Sequence, residues 1–121
     1  MPHLHVEYTA NLAELEPRKL LLRLNHALMA TGQFASEADI KARASALEVY
    51  QVGTAPAERA FVYARLAILS GRPDAVKKAL SDAMLEVLQG AAAWPPGLDV
   101  QFGVEIVDMD RPSYGKARLG V

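Results

Sequence analysis

The chain has 121 residues, room for one compact domain with a modest core. Thirteen basic residues stand against fourteen acidic ones, so it lacks the basic excess of a nucleic-acid binder. Without cysteine there is no disulfide framework, thiol nucleophile or cysteine metal site, and no apolar run could cross a bilayer; the expectation is a soluble, cytoplasmic protein that binds neither nucleic acid nor membrane.

His3 to Tyr8 alternates, with Leu4, Val6 and Tyr8 on one face and His3, His5 and Glu7 on the other, which predicts a strand with one buried face. EPRKLLLRLNHALMATG predicts a helix: Pro17 suits its first position, Leu20, Leu21, Leu24 and Leu28 recur at helical spacing, and Gly32 suits the stop. IKARASALEVYQVG predicts a long second strand, and TAPAE a turn or short loop. ERAFVYARLAILSG, nearly all apolar, predicts a central third strand buried on both faces. RPDAVKKALSDAMLEVLQG predicts a second helix with Pro73 and Asp74 in its first turn and a stripe of Val76, Leu80, Met84, Val87 and Leu88. Pro95 and Pro96 forbid its continuation, LDVQFGVEIVDM predicts a fourth strand, and the tail 111–121 reads as loose.

The order β-α-β-β-α-β is one domain of two β-α-β halves, about 1–55 and 56–110, of the α+β (α/β) class. Both helices should cover one face of a four-stranded sheet. The other face, expected to carry apolar side chains, would need another subunit for cover.

Pro2 is the first candidate for chemistry. A proline at the mouth of a strand gives the sheet no N–H, so it is an odd opening for a merely structural element. With Met1 removed, Pro2 would carry a free secondary amine on a rigid strand. An α-amino group titrates near ~8, and burial or nearby cations lower that value, so a neutral amine could act as a general base at pH 7. Such a base needs cations to hold an anionic substrate. Arg72, in LSGRPD at a strand-to-helix junction, combines its charge with free backbone N–H groups. Lys41 and Arg43, two apart on the second strand, share a face. An ordinary solvated charge is the alternative for each. His3, His5 and Glu7 also share a face, but three ligands along one straight strand spread too far for one ion, so no metal is expected. Phe61 and Tyr63 sit as the stacking aromatics of an RNA-binding sheet would, without its glycines or its charge.

The opening MPH, the doubled β-α-β pattern, ATGQF, AFVYARLAI and GRPDAVKKALSDAMLEVL together resemble the tautomerase superfamily, most closely 5-carboxymethyl-2-hydroxymuconate isomerases, from Met1 to about Ile106. The specific part is Pro2 together with Gly71 and Arg72 at the right separation. The resemblance implies a homotrimer, an active site near a subunit boundary, no cofactor, and Pro2 as the base that moves a proton in an unsaturated oxo or hydroxy dicarboxylic acid. It implies Arg72 as the grip on a substrate carboxylate. The family's second arginine falls at Lys41, which is basic but not bidentate, with Arg43 matching a neighbouring arginine. A family histidine falls at Ser45 and a tryptophan at Ala46, while Tyr50 keeps an aromatic position as a pocket wall. Two rival readings are a related proline-dependent dehalogenase or decarboxylase of a small unsaturated acid, and a catalytically idle trimer that binds a small acid.

Overall fold

The computed structural model describes residues 1–120. In chain order the elements are β1 (His3–Thr9), α1 (Pro17–Ala30), a short 3-10 turn (Glu37–Asp39), β2 (Lys41–Leu47), β3 (Arg59–Leu69), α2 (Asp74–Gln89) and β4 (Asp99–Met109). The sheet order is β2-β1-β3-β4. Each half contributes a parallel pair, β1 with β2 and β3 with β4, and the halves meet through the antiparallel pair β1 and β3.

One face of this sheet carries the core. Leu4 and Val6 of β1 and Ala60, Val62, Ala64, Leu66 and Ile68 of β3 are essentially inaccessible. Against them lie Leu20, Leu24 and Leu28 of α1 and Leu80, Met84 and Leu88 of α2, spaced so that one stripe per helix faces inward. Pro17 opens α1, where its missing N–H costs nothing, and Gly32, at φ +76°, follows its end. Pro73 stands just before α2 as its N-cap. After α2 the Trp94 indole donates to the Gln89 carbonyl and packs on Phe102, with ring centroids 5.4 Å apart.

Three expectations need correction. The second strand ends at Leu47: β2 is an edge strand paired only with β1, and β1 itself ends at Thr9, opposite Leu47. The alternation beyond has no partner, and Val49 is 96% exposed. β3 is central as expected but is buried on one face only. Phe61, Tyr63, Ala67 and Leu69 are half-buried and Arg65 is exposed, because no layer covers their side of the sheet. That second face keeps the expected apolar side chains but adds charged ones among them. Register places Lys41 beside His3, and Arg43, His5, Arg65 and Glu105 in one row across all four strands. Arg65 and Glu105 pair at 3.5 Å, and the His5 ring bonds the Ser45 hydroxyl at 3.1 Å.

The tail is the third. It is tied down at Arg111 and Tyr114. The Arg111 backbone N–H donates to Ser70 Oγ and its Nε to the Ser70 carbonyl, while the Tyr114 hydroxyl lies 2.8 Å from His3 Nε2. Val121 lies outside the described residues.

Candidate active site

The topology brings one end of each of the four strands to the same end of the sheet. Because β1 runs antiparallel to β3, the start of β1 meets the end of β3, with His3 opposite Ala67. β4 runs with β3, so Met109 and the turn after it lie beside Leu69. β2 runs with β1, so its entry segment and the loop after α1 arrive at the same place. There they enclose a cavity of about 260 Å³ lined by Met1, Pro2, Gln33, Phe34, Ala35, Asp39, Ile68, Leu69, Arg72 and Arg111.

Pro2 is buried, and its carbonyl accepts the Lys41 N–H at 3.0 Å, the first bond of the β1–β2 ladder. The missing proline N–H therefore falls at the very start of a strand, where a sheet tolerates it. Arg72 is fixed through all three of its guanidinium nitrogens: Nη2 to the Gln33 carbonyl at 2.9 Å, Nε to Gln33 Oε1 at 3.3 Å, and Nη1 to the Leu69 carbonyl at 3.5 Å. Its guanidinium carbon stands 5.1 Å from the centroid of the Phe34 ring, a cation–π contact. The guanidinium retains spare N–H donors in that mesh, so an anion entering the cavity meets a positioned fork.

Gly71 makes the turn from β3 towards α2 at φ +121°, a backbone region nearly closed to other residues. A Cβ there would stand 3.9 Å from Arg111 Nη2, with no clash, so the cost of substitution is conformational. Gly71→Ala is expected to lower stability by about 1–3 kcal/mol in urea unfolding, through strain at a junction that seats both arginines.

The electrostatics favour a neutral amine here. Burial, and then the Lys116 ammonium, push the chain-terminal amine at Met1 below its ordinary 8.0; Lys41 and Arg72 act in the same direction and Asp39 opposes them. Burial also pushes the His3 imidazole down, helped by Arg43 and then by the amine and Lys41.

Of the residues singled out from sequence, Pro2 and Arg72 share the cavity. Lys41 is at the same end of the sheet, but its ammonium turns onto the Ala38 carbonyl at 2.7 Å and the Asp39 carbonyl at 3.1 Å and is not in the lining. Arg43 lies further along β2, opposite His5. Tyr50 lines a separate cavity with Gln51, Val52, Ala57, Glu58 and Arg59. Gln33, Phe34, Asp39 and Arg111 enter the lining without having been singled out. Gln33 and Phe34 stand in ATGQF, whose Gly32 marked the helix stop and so the start of a loop. Arg111 carried no signal beyond its charge.

A family model described as 5-carboxymethyl-2-hydroxymuconate isomerase matches residues 2–113. The chain belongs to this family. It is an isomerase of the tautomerase fold. It is 35% identical to a 5-carboxymethyl-2-hydroxymuconate isomerase from Deinococcus radiodurans R1, covering 96% of this chain and 88% of that one, with a TM-score of 0.85. A 5-carboxymethyl-2-hydroxymuconate delta-isomerase superposes with a TM-score of 0.81 at 18% identity, over 99% of this chain and 89% of that one. A fused 4-OT wild-type symmetric trimer shares the fold at a TM-score of 0.69 and 23% identity, over 95% and 91% of the two chains. No curated protein sequence matches this isomerase. Among the described residues no helix is long and apolar enough to cross a membrane.

Proposed function

We propose that this isomerase moves a proton, without a cofactor, within an unsaturated oxo or hydroxy acid bearing two or more carboxylates, of the 5-carboxymethyl-2-hydroxymuconate kind, with Pro2 as general base. The observation that carries this reading is the meeting of Pro2 and Arg72 in one cavity. Met1 lines the same space, and its removal leaves the Pro2 nitrogen as a free amine at the cavity wall. Arg72 holds a substrate carboxylate. The Pro2 nitrogen takes the proton of the enol hydroxyl, the carbonyl forms at that carbon, the double bonds shift along the chain, and a remote carbon takes the proton back. Atoms and charge balance with no other reactant. Lys41 acts through its field on the amine, and Arg43 through its field on His3.

The working form would be a homotrimer in the cytoplasm, serving breakdown of aromatic compounds. The uncovered sheet face, with Phe61, Tyr63, Ala67 and Leu69 beside its row of Arg43, His5, Arg65 and Glu105, supports association between copies. Tyr50, remote from Pro2 within one chain, would serve a pocket wall only across such an interface.

The pH profile tests the base. A neutral amine is the active form, so kcat/KM rises with pH through the amine's ionisation. The cations and burial that lower the Met1 amine act on the Pro2 nitrogen in the same field, so the rising limb is expected below the ordinary value of a free prolyl amine. Lys116→Gln removes the leading charge contribution and should move that limb upward. A limb at or above the value of a free amine, unmoved in the variant, contradicts the assignment.

A further inference from the structure

The cavity holds a second guanidinium that the reading above does not use. Arg111 follows β4 and lines the same wall as Arg72. The two are anchored on consecutive carbonyls at the end of β3, Arg72 on Leu69 and Arg111 on Ser70. Among the described residues neither is paired with a carboxylate within 4.0 Å. Asp39 is the one acidic side chain in the lining, against two guanidiniums. The cavity therefore carries a surplus of positive charge that the protein leaves unmet.

The manner of anchoring separates the two. Arg72 uses all three of its nitrogens on protein oxygens. Arg111 uses only Nε, on the Ser70 carbonyl at 3.0 Å, and its backbone N–H sits on Ser70 Oγ. Both Nη groups remain without a protein partner among the described residues, and four N–H donors are free on a side chain whose stem is fixed. That is the better-supplied of the two anion donors. Lys41, the obvious second cation from the sequence, spends its ammonium on the carbonyls of Ala38 and Asp39.

We infer that Arg111 is the second anion-binding group of the cavity and gives the site its preference for a dicarboxylate over a monocarboxylate. The choice of ligand class rests on the isomerase reading; the assignment of Arg111 rests on geometry. The tail is then part of recognition. Its turn is closed by Tyr114 N–H and Ser113 N–H on the Asp110 carbonyl, and the Tyr114 hydroxyl fastens it to His3, so Arg111 is held at both sides.

A matched pair of six-carbon dienes tests this by equilibrium binding, which needs no turnover: muconate, with two carboxylates, and sorbate, with one. Wild-type protein should bind muconate at least about ten-fold more tightly than sorbate, since a charge-assisted hydrogen bond is worth about that much. Arg111→Gln should reduce the ratio about ten-fold, and Arg111→Lys should restore part of it. Arg111 is exposed, so its loss should not unfold the protein, and thermal melting checks this. The inference is overturned if muconate does not bind, if Arg111→Gln weakens both acids equally, or if Lys41→Gln collapses the ratio and Arg111→Gln does not. Muconate binding that depends on Arg111, in protein that isomerises no enol acid, would reject the isomerase reading and leave this one standing.

Discussion

Pro2→Ala lowers kcat at pH 7 by about 100-fold or more, within the range that general acid–base groups contribute. The variant is a strict test because alanine is also small and leaves methionine removal unhindered. The N-terminus stays an amine; what changes is its character. The proline nitrogen is secondary, tied into a ring, and fixed by a backbone whose carbonyl already pairs with Lys41. An alanine amine is primary and rotates freely, so it meets the substrate proton less often in a productive direction. Intact-mass measurement must accompany the kinetics. If Met1 is retained, the Pro2 nitrogen is an amide, which is not basic, and the mechanism fails whatever the variant does. Full activity in Pro2→Ala with Met1 removed would equally reject it.

The residues that could be read from sequence and those that could not differ for physical reasons. Pro2 was visible because proline cannot donate to a sheet, so its place at a strand mouth demanded an explanation. Arg72 was visible because Gly71 and Pro73 bracket it, and that pairing marks a strand-to-helix junction. The helices were legible because their apolar spacing has a period that solvent and core enforce together; Leu20, Leu24 and Leu28 are all buried as the pattern requires. Alternation overextends β2 because it reports a tendency to be a strand, not the presence of a partner. The strand's length is set by Thr9, a residue of another segment. Composition overstates the burial of β3 for a related reason: Phe61 and Tyr63 are apolar enough for a core, yet no layer of this chain covers them. Arg111 gives no local sign of its place because that comes from a contact with Ser70, distant in sequence, and the tail around it has no periodic pattern.

Arg72→Ala should lower kcat/KM by about 10²–10³, the largest loss expected at any binding residue of the site. Two effects contribute, and the kinetics separate them. Loss of the grip on a substrate carboxylate weakens ground state and transition state alike and raises KM. Loss of positive charge near the forming carbonyl removes stabilisation of the enolate and lowers kcat. The substitution also releases the Gln33 carbonyl and the Phe34 ring, which the guanidinium holds at 2.9 Å and 5.1 Å, so part of the damage is a loosened cavity wall. Arg72→Lys distinguishes these. An ammonium keeps the charge near the substrate but cannot span Gln33 and Leu69 with a planar fork. If charge dominates, the lysine variant recovers most of kcat while KM stays high; if the fork is what matters, both parameters remain poor. A melting temperature close to wild type in either variant assigns the loss to the site instead of the fold. Activity of Arg72→Ala within about three-fold of wild type would remove Arg72 from the mechanism, and with it the reason for placing the carboxylate beside Pro2.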